Sequence, residues 1–190
     1  MSHHQRALPP VESQPGALVH SSADRQLAVE QWLLATHPAR DRARMEWQEG
    51  RETLLPLGTL FSAVRIPQTL MQAIAGRLPH EEMDALLADA LDDGPVICDP
   101  KGHRYYALVP GSMPQKWTAA AEDWMSLGVE CLGRGTYLGV PPVKAVNLDP
   151  VRWVSYWSVP MPSAGELCSR LAVARLLAAG KRCLAEAADA

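Results

Sequence analysis

Apolar positions in this chain recur at helical spacing near both ends and gather into short runs through the middle. Val29, Trp32, Leu33 and Thr36 form one inward stripe, with Ser21-Ser22 as a cap and Pro38 as the stop, which predicts a helix from about Ser22 to Thr36. A shorter helix from about Arg40 to Gln48 carries Met45 and Trp47 and stops at Gly50. Thr53–Leu57 and Thr59–Ile66, two runs across Gly58 closed by Pro67, predict a hairpin. Helices follow over Gln68–Gly76 (Leu70, Ala73, Ile74) and Glu81–Leu91 (Met83, Leu86, Leu87, Ala90). Val96–Cys98 and His103–Val109 flank Asp99-Pro100-Lys101-Gly102, whose residue order suits a type I turn and predicts a second hairpin. After a helix over Trp117–Met125, two short apolar runs across Gly133-Arg134-Gly135 predict a third strand pair, ending at Pro141-Pro142. Val151–Trp157 is the last expected strand. Ser163-Ala164-Gly165-Glu166 has the form of a capping box and should open a helix to about Ala187, with Leu167, Leu171, Ala174 and Ala178 inward. The class is α+β: a mixed or antiparallel sheet built from hairpins, with flanking helices.

Residues 1–20 are rich in Pro, His, Ser and Gln without periodicity and read as a flexible tail, leaving 21–188 as a single domain. The 190 residues, 47% of them hydrophobic, suffice for one sizeable core. Lys and Arg number 18 against 21 Asp and Glu. With no basic surplus, strong autonomous binding to duplex DNA is not expected. Cys98, Cys131, Cys168 and Cys183 form no Cys-x-x-Cys pair and have no histidine at finger spacing, so they read as buried thiols rather than a zinc site. No secretory pattern opens the chain and no apolar stretch reaches membrane-spanning length, so a reducing, cytoplasmic setting is expected, without membrane contact. Six Trp and four Tyr stand against one Phe. Trp and Tyr suit half-buried positions, and Trp153, Tyr156 and Trp157 offer either peripheral core or a stacking surface.

The stretch from Val129 to Pro142 concentrates the chemistry. Glu130 ends an apolar run, Arg134 lies between two glycines, and a second run stops at a proline pair. This layout suits a carboxylate and a cation beside exposed backbone N–H groups, as phosphate binding requires. It suits an ordinary hairpin with a bulged turn equally well. No phosphate-binding P-loop, dinucleotide fingerprint, nucleophile elbow or His-Glu-x-x-His motif occurs.

Three patches resemble the prim-pol group of the archaeo-eukaryotic primase superfamily, in particular short bacterial proteins of the bifunctional DNA primase/polymerase N-terminal type. They are Gly58–Pro67, Asp99–Tyr106 and Val129–Pro142, and the resemblance runs from about Trp32 into the C-terminal helix. It implies a prim-pol-like fold with a nucleotide cleft. The first patch is similar to a strand that carries an Asp-x-Asp metal pair in active members, yet Phe61, Ser62, Ala63 and Arg65 stand there. In the second, His103 lies in the turn and Tyr105 is nearer the position of the family's nucleotide-contacting histidine. Glu130 is the one carboxylate retained in the third. Two-metal chemistry needs several carboxylates converging on the ions, and arginine has no lone pair to offer.

The resemblance therefore implies a non-catalytic binding or regulatory module without metal or cofactor. Arg65, His103, Arg104, Tyr105, Glu130 and Arg134 would frame a remnant cleft for a nucleotide or other small anion. Arg65 is expected to pair with Glu130. One alternative is a metal-dependent nucleotidyltransferase with a rearranged site using Asp92, Asp93 or Asp99. The other is a protein-interaction module that docks a partner through the Trp-rich surface or the C-terminal helix.

Overall fold

The computed structural model describes residues 11–14, 17–19 and 21–189. In chain order the elements are β1 (Val11–Gln14), β2 (Ala17–Val19), α1 (Ser22–Leu34), α2 (Arg40–Gln48), β3 (Thr53–Pro56), β4 (Phe61–Pro67), α3 (Gln68–Ala75), α4 (His80–Ala90), β5 (Val96–Asp99), β6 (Arg104–Pro110), α5 (Met113–Lys116), α6 (Thr118–Met125), β7 (Glu130–Leu132), β8 (Tyr137–Val140), β9 (Tyr156–Val159) and α7 (Arg170–Ala188). The fold is α+β. β1 and β2 pair antiparallel within the stretch 1–20 read as a tail. The remainder of 1–20 lies outside the described residues.

The central sheet has the order β7-β4-β6-β5-β9, and every pairing in it is antiparallel. Side chains alternate between its faces, and residues directly opposite one another share a face. Val64, Ile66, Tyr105, Ala107, Cys98 and Tyr156 meet α3, α4 and α7 through Leu70, Met71, Leu87, Val173 and Leu177. Phe61, Ala63, Ile97, Leu108 and Trp157 meet α1, α2 and the separate β3–β8 sheet through Val29, Leu33, Trp47, Leu55 and Leu138. Burial on both faces explains why β4 reads as an almost unbroken apolar run.

Two expected hairpins do not form. β3 pairs with β8, not β4, with Leu55 opposite Leu138. β7 pairs with β4, so the two arms of the Gly133-Arg134-Gly135 turn enter different sheets. In β3 Thr53 and Leu55 are buried while Leu54 is exposed, an alternation that fits a sheet covered on one side only. The last strand begins at Tyr156, and Val151 and Trp153 precede it in a loop.

The C-terminal helix also starts later than its sequence suggests. Ser163 Oγ does donate to Glu166 Oε2 at 2.8 Å, but as part of a turn. Cys168 is then tied to the sheet, its N–H donating to the Leu108 carbonyl at 2.8 Å and its Sγ–H to the Pro95 carbonyl at 3.4 Å. The helix can begin only after this anchor, and Ser169 caps it by accepting from the Ala172 N–H at 3.0 Å. The buried stripe is Ala172, Val173, Leu176, Leu177 and Gly180, whereas Leu171 is 59% exposed, so the expected inward set of Leu171, Ala174 and Ala178 is corrected.

Candidate functional site

The six expected ligand residues do not line one cleft. Arg65 and Glu130 stand opposite each other on β4 and β7 and form a hydrogen-bonded ion pair, as the sequence reading anticipated. Tyr106 faces Arg65 from β6, so all three share one face of the sheet. Arg104, two residues before Tyr106, shares that face at the strand's exposed end and makes no ion pair among the described residues. His103 sits beside it in the turn at φ 53°, where its Nδ1 lies 3.0 Å from Gln68 Oε1.

Tyr105 and Arg134 are corrected. Tyr105 is opposite Ile66 and Cys98 and only 2% exposed, so it belongs to the helix-covered core. Burial drives its hydroxyl well above the usual tyrosine range, with the nearby Cys98 and Asp84 acting in the same direction. Arg134 follows β7 at the other end of the sheet. Its backbone packs against Gly58, where a Cβ would lie 2.4 Å from the Arg134 nitrogen. About 13 Å of strand between Phe61 and Arg65 separates that corner from the Arg65–Glu130 pair.

The Pro141-Pro142 end of the motif has a structural task. The indole N–H of Trp47 donates to the Val140 carbonyl at 2.9 Å, and that of Trp157 to the Pro141 carbonyl at 3.3 Å. Tyr156 and Trp157 are each 1% exposed while Trp153 remains 43% exposed. The aromatic trio is therefore mostly core, and the expected stacking surface shrinks to one residue.

The carboxylates of the rearranged-site alternative do not converge on Glu130. Asp92 and Asp93 occupy the left-handed turn after α4. Asp99 accepts from the Gly102 N–H at 2.8 Å, three strands from β7 and thus about 14 Å away across the sheet. Among the described residues no three His, Cys, Asp or Glu side chains stand together in a way that would hold a metal ion.

A second polar cluster lies on the helix-covered side, where the sequence reading placed none. Tyr156 Oη donates to Asp84 at 3.1 Å and lies 3.3 Å from His80 Nδ1, and Ser158 Oγ also donates to Asp84. The β5–β9 register slips between Val96 and Ile97, leaving Ser158 as the extra residue of a bulge, on the same face as Tyr156 two residues before it. Burial raises the Asp84 pKa, while the Ser158 and Tyr156 hydrogen bonds and the His80 charge pull it down. Cys98 is pushed up to about 12, chiefly by burial, and so stays a thiol. Trp153 sits over His80 edge-on, ring centroids 6.1 Å apart, with its own φ at 52°. His80 and Asp84 at helical i, i+4 spacing were the available sequence signal; that α4 packs over the Tyr156 and Ser158 face of β9 leaves no local trace. No fully buried side-chain polar atom in it lacks a partner, and the cluster ties α4 to β9.

No family model, no curated protein and no solved structure matches this chain. No helix among the described residues is long and apolar enough to cross a membrane.

Proposed function

We propose that this chain is a non-catalytic binding module whose ligand surface is the sheet end carrying Arg104, Tyr106 and the Arg65–Glu130 pair. The ion pair carries this reading: the guanidinium of Arg65 occupies the one carboxylate that a prim-pol-like metal site would have kept, and a cation beside it opposes metal binding. Arg104 brings a bidentate donor for phosphate and Tyr106 an apolar ring on the same face, a combination suited to a nucleotide or other small anion. Prim-pol-like ancestry accounts for such a surface without catalysis. We assign the protein to a reducing cytoplasm, since Cys98 and Cys168 are buried free thiols, both with pKa values near 12.

Calorimetric titration with ATP, GTP and a single-stranded oligonucleotide, each with and without Mg²⁺ or Mn²⁺, tests the reading. Binding should be independent of metal and should weaken about tenfold in R104E, the loss of one charge-assisted contact. Binding that requires the metal would overturn it in favour of a nucleotidyltransferase with a rearranged site. A second reading, a protein-interaction module, has its own support in the outer face of the β3–β8 sheet, where Leu54 is 63% and Tyr137 64% exposed. Silence towards all nucleotides favours that reading.

A further inference from the structure

On the opposite side of the molecule from α4, the first turns of α1 overhang two neighbouring cavities. One, of about 430 Å³, opens between α1, α2 and the segment after β8, and is walled by Leu27, Trp47 and Val143. The other, of about 350 Å³, shares Gln26 and Val143 with it and continues under Val29 to Val146 and Met161. Each volume falls in the range of small-molecule sites, and the walls combine apolar side chains with a few polar groups.

The charges around these cavities are unbalanced. Arg25, Arg44 and Lys144 line them, and Glu30 is the one carboxylate in either lining. Glu30 is already occupied, because Arg44 Nε donates to it at 3.0 Å. Arg44 also lies 3.6 Å from Asp41, so both members of that pair are committed. Arg25 and Lys144 have no ion-pair partner among the described residues. A chain with net charge -3 thus places one uncompensated cation at each of the two adjoining cavities, Lys144 at the larger and Arg25 at the smaller. The floor is rigid, since Trp47 is fixed by its hydrogen bond to the Val140 carbonyl.

From this arrangement we infer that the groove beside α1 binds a small organic carboxylate with an apolar body. The body lies along Leu27, Val143 and Met161, and the carboxylate accepts hydrogen bonds from Lys144, with Arg25 supplying the second cation. The site is independent of the Arg104 surface and does not rest on it.

The probe is 2-naphthoate, compared with 2-naphthamide, which keeps the body and loses the charge. Calorimetry on the full chain should give saturable one-to-one binding of naphthoate, with naphthamide about tenfold weaker, as expected for loss of a charged hydrogen bond. Amide chemical shifts should move in α1, α2 and residues 142–146. K144E and R25E, both at exposed positions, should each weaken naphthoate about tenfold, while L27W should block the groove and R104E should change nothing. An unchanged thermal midpoint in K144E and R25E shows that each variant remains folded, and K144Q supplies a milder second case. Equal affinity for the amide, indifference to both charge reversals, or no binding of naphthoate would each overturn the assignment. Binding confined to an acidic, apolar peptide would overturn it as well, in favour of a protein partner.

Discussion

Arg65 and Glu130 illustrate how little a well-placed ion pair contributes when water reaches it. Their side chains are 28% and 48% exposed, so a double-mutant cycle should give a coupling of only about 0.2–1 kcal/mol. Urea denaturation of R65M, E130Q and the double variant measures it; a coupling several times larger would mean the pair is a structural lock. Tyr105 is the opposite case. Removing its ring should cost about 3–5 kcal/mol, as for other buried aromatics, and lower the melting temperature while leaving the nucleotide affinity of the folded fraction unaltered. If Y105A stayed as stable as the parent and lost ligand, its placement in the core would be wrong. At Gly58, with φ 88° and the Arg134 backbone against it, even alanine requires the chain to move. G58A should therefore destabilise both sheets, which that contact joins.

At the scale of elements, the sequence was most legible where structure is decided locally. Asp99-Pro100-Lys101-Gly102 forms its turn with its own residues, and α1 through α4 follow from nearby periodicity and breakers. Ser21 is a real cap, accepting from the Asp24 N–H at 3.2 Å while Asp24 Oδ2 accepts from the Ser21 N–H. Ser163 has similar local chemistry but starts no helix. S21A and S169A should each cost about 1 kcal/mol, and S163A much less, as read from chemical denaturation midpoints. A larger loss in S163A would indicate that the turn it closes is needed to hold Cys168 against the sheet. The strand partners of β3 and β7 were not legible because a short apolar run specifies a face, not a neighbour. The candidate site failed for a related reason. Assigning Tyr105 and Arg134 to the same cleft as Glu130 required knowing which face and which end of the sheet each would occupy. The Arg65–Glu130 pair was readable from charge complementarity between two apolar strands; the Asp84 cluster was not, since it depends on which helix covers the Tyr156 and Ser158 face of β9.

The whole molecule should respond to pH through Asp84. Burial keeps its carboxyl protonated to higher pH in the folded state than in the unfolded chain, whose value is about 4. The folded state therefore binds more protons in the window just above that value. Asp84's favourable contribution is complete below it and declines as pH rises through the folded pKa. D84N should remove this decline from the profile of unfolding midpoint against pH, and parallel profiles for the two proteins would refute the assignment. D84A leaves the hydroxyls of Ser158 and Tyr156 without their acceptor and should cost about 1–3 kcal/mol at low pH, where Asp84's contribution is complete. Pairing Leu55 with Leu138 carries a different consequence for the molecule as a whole. The strands that meet there are so distant along the chain that closing the intervening loop is entropically costly until the central sheet has drawn its ends together. The small sheet should then be the last part to assemble, and during synthesis the N-terminal third must wait, with its apolar face uncovered, until the chain has been made as far as Val140.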